Sequence, residues 1–344
     1  MLRFLFSESP VFPSKFNTIA IRYAEEISQD LSISRPVTRC SWGIPVPGDP
    51  SQIIYVWLDA LASYLTVSGY PRNHMNWPPS LQVIGKDILK FHTIYWPSLL
   101  MAAELQLPKR IFCHSHWTKD GQKMSKSLGN VVDPFSLSEK YSSDGLRYFL
   151  LQAGVPQSDG NFTEEKLRRL LNSELADTLG NLLSRCSAKS INPNQLWPMF
   201  PLDYFQSCNC PYGISVIESV ELLPTFVSDA YNSLHFHLGI DQIMTTIRLT
   251  NCYVQNEKPW ELVKRNPTDE QLFLLLSIVF EVLRVTSMML LPITPNLSDQ
   301  VLHQLNIPVG KRRWKDIKPF IWNRKFSESR MLESSQNLLF KRVK

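Results

Sequence analysis

The sequence predicts an α/β domain followed by an all-α domain. Apolar runs of strand length alternate with a helical stretch between about residues 53 and 118, and leucines recur at helical spacing after Gln157. The chain has 344 residues, 44% of them hydrophobic and 19% charged, which is enough for two globular cores. We therefore predict one domain at 1–157, a second at 158–310 and a basic tail at 311–344.

The first domain contains the pattern of a parallel sheet. The runs QIIYVWLDA, LQVIGKD and KRIFCHSHWT predict strands, and a helix is predicted from about Asp87 to Leu105. Strand, helix and strand at this spacing predict a βαβ unit. Such sheets bind ligands at the carboxyl ends of their strands, where Lys86, His114 and His116 also lie. Before these runs, NTIAIRYAEEIS predicts a helix, and the stretch from Trp42 to Ser51 predicts a loop because it is rich in proline and glycine.

The second domain has the pattern of a helical bundle. Its first helix spans NFTEEKLRRLLNSELADTLGNLLSRCSAKS, with Thr163 as the N-cap. A proline-rich loop is predicted at 191–213, and the tail is expected to be solvated. The apolar run from Leu272 contains Glu281 and Arg284, which favours a buried helix over a membrane span, so no membrane partner is expected. Further helices are predicted at 214–231, 234–254, 270–291 and 296–305.

Charge and cysteine content narrow the classes of partner. The net charge of +5 suits a nucleotide or nucleic-acid partner without requiring one. The six cysteines form no CxxC pair, and Cys208 and Cys210 are too close for a usual zinc knuckle, so we expect no zinc site. The opening MLRFLFSESP acquires Glu8 early and does not predict a targeting peptide.

The stretch DGQKMSKSLGN, from Asp120 to Asn130, is a glycine-flanked loop with lysines at 123 and 126. Two lysines alone favour an ordinary solvated basic loop. A flexible loop of this kind can also place an ammonium beside a phosphoryl group, where charge develops during transfer at phosphorus. The complete string KMSKS, following a predicted strand, matches the signature loop of class I aminoacyl-tRNA synthetases. This match favours the functional interpretation.

Other segments narrow the resemblance to one family. YVWLDALASY and IGKDILKFHTIYWP resemble methionyl-tRNA synthetases, and LNSELADTLGNLLSR and YVQNEKPWELVK resemble the anticodon domain of that family. The similarity covers about residues 35–305, and the short tail resembles the mitochondrial type. The resemblance implies the C-terminal half of a Rossmann-like class I synthetase catalytic domain plus a helical-bundle anticodon-binding domain. One departure is Leu61, where many relatives have proline.

The resemblance implies roles for particular residues. It implies a methionine side-chain pocket of Trp57, Ala60, Tyr64, Ile88 and His92. It implies an ATP site of Gly85, Lys86, Asp87, His114, Lys123 and Lys126, with Lys126 stabilising the transition state and Lys123 supporting the other phosphates. It implies anticodon reading by Asn181, Arg185 and Trp260. Aromatic faces suit a thioether sulfur, and His92 is expected to approach the sulfur as a weak donor.

Each of these residues also has a structural interpretation. Taken alone, Trp57 and Tyr64 fit core packing, and Trp260 fits an aromatic residue of the core. Asn181 and Arg185 lie four residues apart and so share one helix face, which on its own is typical of a solvated surface. Only the family resemblance favours a functional role at these positions.

The activity implied by the resemblance is ligation of methionine to its tRNA through methionyl-adenylate, with ATP and Mg²⁺, by a monomer in the mitochondrial matrix. The family's second signature, of the His-x-Gly-His type, is missing: neither HSH at His114 nor HFHLG at His235 fits its context. We therefore expect this chain to lack the N-terminal half of the catalytic domain. Two alternatives stay open: a catalytically inactive tRNA-binding fragment, and a synthetase for a related aliphatic amino acid.

Overall fold

The chain forms two compact units, each with its own apolar core. The first comprises residues 1–116 and 156–159, and the second comprises residues 117–155 and 160–344. The structure, a computed structural model, describes residues 4–5, 9–27, 30–72, 76–198, 210–319, 329–333 and 338–344. The boundaries of these units differ from the predicted domain boundary at residue 157. The lysine loop belongs to the second unit, because Met124 packs against the core of the helical half.

A parallel sheet lies at the centre of the first unit. Its middle strand is β6 (Ile111–His114), flanked by β1 (Val11–Phe12) and β5 (Gln82–Gly85). The predicted parallel pairing of β5 with β6 is therefore confirmed. Strand β1 was not predicted, because two residues are too few to produce a periodic signal. Helix α1 (Ser14–Glu25) forms as predicted and buries its apolar face against this core.

A second, antiparallel sheet of the first unit has the order β2–β4–β3. It comprises β2 (Ser34–Pro36), β3 (Pro45–Val46) and β4 (Asp49–Ile54). The predicted loop from Trp42 to Ser51 is wrong, since β3 and β4 form a tight hairpin in which Gly48 has a φ of +83°. The apolar run at Ile53 is a strand of this sheet and not of the parallel one. Helix α2 follows it.

Helix α2 (Val56–Val67) and the connection from β5 to β6 carry the side chains predicted to bind methionine. The connection is not one regular α-helix. It consists of a 3₁₀ turn (Lys86–Ile88), a π-helical turn (Phe91–Tyr95) and helix α3 (Trp96–Ala102). π-Helical turns occur frequently at functional sites. This one buries His92 below the surface of the unit.

The second unit begins with a small sheet. Strand β7 (Trp117–Lys119) pairs with β8 (Gln122–Lys123) in antiparallel and with β9 (Gly160–Phe162) in parallel orientation. Gly160 lies flat against the Trp117 ring, where an added Cβ would come within 2.8 Å of a ring carbon. Helices α4 (Pro134–Tyr141) and α5 (Ser143–Ala153) connect β8 to β9. The lysine loop lies between β8 and α4.

The predicted long helix of the bundle is continuous from Glu164 to Ser187, but its middle is π-helical. Its parts are α6 (Glu164–Leu171), a π segment (Asn172–Gly180) and α7 (Asn181–Ser187). The predicted N-cap is confirmed, because the Thr163 hydroxyl accepts a hydrogen bond from the amide of Lys166 at 3.2 Å. The predicted apolar stripe is fully buried: Leu167, Leu171, Leu175, Leu179 and Leu182.

The four helices predicted after residue 213 form within three residues of their predicted ends, as α8 (Pro211–Asn232), α9 (Phe236–Glu257), α11 (Glu270–Leu290) and α12 (Pro295–Gln304). Between α9 and α11 lies α10 (Pro259–Arg265), which the sequence analysis did not predict. Helix α11 has the length and composition of a membrane span, but 94% of its apolar stretch is buried inside the unit. It is the central core helix, as predicted. Much of the predicted loop at 191–213, including Cys208, lies outside the described residues.

The described part of the tail packs on the second unit, so the predicted solvated tail is wrong for these residues. Strand β11 (Arg330–Met331) pairs antiparallel with β10 (Leu196–Trp197). Val343 and the side chain of Asn172 exchange two hydrogen bonds of 2.8 Å. Apolar residues of the tail stabilise this arrangement, since Leu339 and Phe340 pack against the main core. Residues 320–328 and 334–337 of the tail lie outside the described ranges.

A buried ion pair within helix α11 includes an arginine that also binds the start of the tail. The Arg284 guanidinium is fully buried and donates to both carboxylate oxygens of Glu281 at 2.8 Å. It also donates to the carbonyl oxygens of Asp316, Ile317 and Lys318 at 3.0–3.1 Å. Because the guanidinium donates to a carboxylate and to three carbonyl oxygens, the cost of burying its charge is compensated.

Replacing Arg284 with alanine is expected to destabilise the second unit by about 3–5 kcal/mol, since Glu281 would stay buried without its partner. Chemical denaturation followed by circular dichroism measures this change. The matched control is Lys258→Ala, which removes a 3.6 Å pair with Glu261 on the surface and is expected to cost at most about 1 kcal/mol. Equal effects of the two substitutions would contradict the structural role given to Arg284.

Candidate functional site

Four of the five residues predicted to bind methionine form one connected cluster in the first unit. Trp57 and Tyr64 lie on α2, and the Tyr64 hydroxyl lies 2.9 Å from Nε2 of His92. Nδ1 of His92 lies 2.9 Å from the carbonyl oxygen of Ile88. The Trp57 and His92 rings meet edge to face, with centroids 6.4 Å apart. The fifth residue, Ala60, is exposed on α2 between Trp57 and Tyr64 and one turn from each.

The hydrogen bonds of His92 determine its tautomer. A carbonyl oxygen only accepts, so Nδ1 carries the proton and donates to Ile88. Nε2 then accepts from the Tyr64 hydroxyl. Burial lowers the pKa of His92, although its hydrogen bond to Ile88 opposes this effect, and the neutral ring is favoured. Both ring nitrogens of His92 are therefore engaged within the protein, and its expected approach to the methionine sulfur stays a prediction.

Two aromatic residues of this cluster were missed by the sequence analysis. Phe91 stacks on Trp57 with centroids 3.9 Å apart and the rings 15° from parallel. Trp96 is buried and its ring lies 6.1 Å from that of Tyr64. Both lie within the segment IGKDILKFHTIYWP, so their aromatic character was visible, but their contacts depend on the π-helical turn. The result is an aromatic wall suited to a polarisable thioether.

The residues predicted to bind nucleotide in the first unit lie at the carboxyl ends of β5 and β6. Gly85 pairs with His114 in the sheet, and a Cβ on Gly85 would lie 3.7 Å from the His114 ring. Lys86 and Asp87 follow directly on β5, and Asp87 is exposed. Asp87 lies 3.8 Å from Nε2 of His116. The strand ends thus bring together the polar groups that the βαβ pattern predicted.

Asp159 completes this group and has no signal in the sequence. Its two carboxylate oxygens each accept a hydrogen bond of 2.7 Å from the Lys86 ammonium, and one accepts from the amide of His116 at 2.9 Å. The hydrogen bond from Lys86 and then that from His116 lower the pKa of Asp159. Asp159 is 73 residues from Lys86 along the chain. Only the fold shows that the predicted lysine has a carboxylate partner.

The lysine loop of the second unit is held by hydrogen bonds within itself. The Asn130 side chain accepts from the amide of Ser125 at 2.8 Å and donates to the carbonyl of Lys123 at 3.2 Å. The Ser125 hydroxyl accepts from the amide of Leu128, which closes a 3₁₀ turn from Lys126 to Leu128. Met124 is partly buried against the core. These hydrogen bonds leave both lysines of the loop exposed.

Two of the three residues predicted to read the anticodon are in contact. The Arg185 guanidinium lies over the Trp260 ring, 5.5 Å from its centroid. Arg185 also donates to the Gln255 side chain at 3.4 Å. Asn181 is exposed one helical turn before Arg185. Trp260 is half-buried at the start of α10, so it is neither a buried core residue nor fully solvated.

Among the described residues there is no group of three or more His, Cys, Asp or Glu side chains arranged to hold a metal ion. The Cys210 thiol instead donates a hydrogen bond to Glu257 at 3.3 Å. Burial, as the largest effect, raises the pKa of this thiol. Cys210 is therefore favoured as a neutral thiol.

Comparison with known proteins finds relatives that all belong to one family of tRNA synthetases. The family model described as tRNA synthetases class I (M) matches residues 1–187. The chain is 46% identical over 314 residues to the mitochondrial methionine–tRNA ligase of Homo sapiens, covering 88% of this chain and 53% of that protein. It is 45% identical over 312 residues to a probable mitochondrial methionine–tRNA ligase of Dictyostelium discoideum, covering 88% and 54%.

The fold also matches a solved structure. Mycobacterium tuberculosis methionyl-tRNA synthetase bound by methionyl-adenylate aligns with a TM-score of 0.86 and 29% identity, over 99% of this chain and 66% of that chain. The predicted fold class is confirmed by this match. The chain spans about half the length of the curated relatives it matches.

The tautomer of His92 gives a pH-dependent prediction. Because its pKa in the folded state is lowered, the unfolded state binds a proton first as the pH falls below about 6.5, and stability is lost on acidification. We expect the unfolding free energy to fall below this pH, and less steeply in His92→Asn. Ring ¹⁵N chemical shifts at pH 6.5 are expected to show a neutral ring protonated at Nδ1. A charged ring at that pH would contradict the assignment.

Proposed function

We propose a function from one premise: the chain belongs to the family tRNA synthetases class I (M). On this premise the chain contributes to the ligation of methionine to its cognate tRNA. The reaction has two steps. The methionine carboxylate attacks the α-phosphate of ATP and releases pyrophosphate, and the methionyl group then moves from the adenylate to the terminal ribose of the tRNA.

The observation that carries the choice of amino acid is the aromatic cluster of Trp57, Tyr64, Phe91 and His92. Its rings offer faces and edges to a sulfur atom, and sulfur–aromatic contacts are favourable by about 0.3–1.5 kcal/mol. Because both nitrogens of His92 are engaged within the protein, the cluster presents no free charge to the ligand. An uncharged, polarisable wall favours methionine over polar amino acids. Ile88 and Ala60 complete the proposed pocket.

The proposed roles in ATP binding follow the positions of the polar groups. Gly85 permits close approach of the nucleotide, and the exposed Asp87 carboxylate suits ribose hydroxyls. His114 and Lys86 lie at the same strand ends. Mg²⁺ arrives with the ATP phosphates, since protein-bound Mg²⁺ usually keeps phosphate and water ligands. Lys126 stabilises the charge that develops at the α-phosphate, and Lys123 supports the other phosphates.

The proposed contact with tRNA is made by the second unit. A base of the anticodon loop stacks on Trp260, while Arg185 and Asn181 hydrogen-bond to base edges. Arg185 is already positioned over the Trp260 ring, so less side-chain entropy is lost on binding. By analogy with the mitochondrial relatives, we place the activity in the mitochondrial matrix, carried out by a monomer.

A second candidate function is tRNA binding without catalysis. It is favoured by the observation that Asn181, Arg185 and Trp260 all lie in one compact unit with a core of its own. RNA binding by this unit does not depend on the adenylation chemistry. The two candidates share their RNA contacts and differ only in whether methionine is activated.

Methionine-dependent ATP–pyrophosphate exchange by the purified 344-residue chain distinguishes the two candidates. Exchange supports the ligase. A folded chain that binds a hairpin with the anticodon loop of tRNA(Met) but shows no exchange supports the second candidate. A folded chain with neither property would overturn both.

In an enzyme restored to the length of its relatives, Lys126→Ala is expected to lower the exchange rate by about 10²–10³-fold, because one preorganised charge at the reacting phosphate is lost. Binding of the anticodon hairpin should change by less than twofold. Lys119→Ala is the matched control, since it removes the same charge from the preceding strand, outside the five-residue motif. Equal losses of exchange and RNA binding would rule out the role given to Lys126.

Trp260→Ala is expected to have the reverse effect. Loss of one stacked base costs about 1–3 kcal/mol of RNA binding, so the hairpin Kd should rise at least about fivefold while methionine activation is unchanged. Trp314→Ala serves as control, because Trp314 is a partly exposed tryptophan elsewhere in the same unit. If Trp260→Ala abolishes activation or unfolds the unit, the residue is structural.

A further inference from the structure

We propose that the C-terminal segment Leu338–Lys344 is part of the RNA-binding surface. With helix α7, it forms a second nucleotide subsite beside Trp260, for a neighbouring nucleotide of the anticodon loop. This inference rests on the proposed function, since it requires that the second unit binds the anticodon. It adds Phe340 and Arg342, which no motif of the sequence indicates as RNA contacts.

The subsite is a cleft of about 410 Å³ within the second unit. One wall is the helix surface at Gly180, Asn181 and Ser184. The opposite wall is the C-terminal segment, through Phe340 and Arg342. The cleft therefore includes a residue already predicted to read the anticodon, together with residues from the far end of the chain.

The C-terminal wall is held in place by specific contacts. The Asn172 side chain donates to the carbonyl and accepts from the amide of Val343, both at 2.8 Å. Leu339, Phe340 and Val343 pack against the main core. A Cβ on Gly180 would lie 4.0 Å from that of Leu339, so the segment runs close over the helix at this glycine. These contacts give the cleft a defined shape.

The chemistry of the cleft suits a nucleotide. The exposed Asn181 amide offers donors and an acceptor for a base edge, and the Phe340 ring offers an apolar surface for stacking. The Arg342 side chain is 69% exposed, and its guanidinium lies 3.5 Å from the Asp177 carboxylate. A planar guanidinium suits a phosphate geometrically. Exposed Lys341 and Lys344 add positive charge nearby.

The cleft lies next to the proposed base-stacking site along helix α7. Asn181 and Arg185 are four residues apart on one helix and so lie on the same face. Arg185 lies over the Trp260 ring, and Ser184 of the cleft is its neighbour in sequence. A single strand with one base on Trp260 can thus continue along the helix into the cleft. Single strands are commonly bound in this way, with stacking surfaces beside basic side chains.

The test compares Arg342→Gln with Lys341→Gln in the 344-residue chain. Both remove one exposed positive charge from the same segment, but Arg342 lines the cleft and Lys341 does not. The probe is an RNA hairpin with the CAU anticodon loop. Arg342→Gln is expected to raise the Kd about five- to tenfold and to reduce the slope of log K against log salt by about 0.7. Lys341→Gln should change the Kd less than twofold.

Phe340→Leu is a second variant, which retains an apolar side chain but removes the ring. It is expected to raise the Kd severalfold while the circular dichroism melting curve is retained. If Arg342→Gln and Lys341→Gln have equal effects, and Phe340→Leu none, the inference is overturned although the proposed function stands. If wild-type chain does not bind the hairpin, the proposed RNA contact fails, and the inference fails with it.

Discussion

The buried leucine face of the helix from Glu164 to Ser187 is the interaction on which the second unit depends. Its leucines are fully buried in the main core, which fixes the rotation of the helix. Because one face is buried, the opposite face must present its polar residues outward. Asn181 and Arg185 lie on that face, and Asn172 on the same helix binds the C-terminal segment. Core packing, proposed RNA contacts and the position of the tail are thus linked through one helix.

A buried polar network supports this helix where it departs from α-helical geometry. Glu174 lies in the π segment, accepts from the Tyr148 hydroxyl at 2.6 Å and pairs with Arg248 at 3.2 Å. The buried carboxylate is therefore compensated from two other helices. Burial, and then the Glu174 charge, raise the pKa of Tyr148 well above its usual range, so the phenol remains a donor at neutral pH.

The first unit depends on a different constraint, the shared edge of two parallel strands. The register that pairs Gly85 with His114 makes both strands end together, and the polar residues after them are then neighbours. Lys86 lies at this edge. Its ammonium group is held at the strand ends by an ion pair with Asp159. The Trp57 ring on α2 stacks on Phe91, and the two rings form an apolar, uncharged surface, unlike the polar strand ends. Both surfaces belong to the first unit.

The sequence by itself determined the elements whose signal is local. The leucine spacing predicted the bundle helices, Thr163 predicted a cap, and the KMSKS string predicted the lysine loop; each depends on residues a few positions apart. Only the tertiary structure decided the pairing of Lys86 with Asp159, the tautomer of His92 and the docking of Val343 on Asn172. These contacts join residues distant in sequence, or depend on a π-helical turn that no periodic pattern encodes. The tail was expected to be solvated because its charge is visible in the sequence, whereas the surface against which Leu339 and Phe340 pack exists only after the helices have packed.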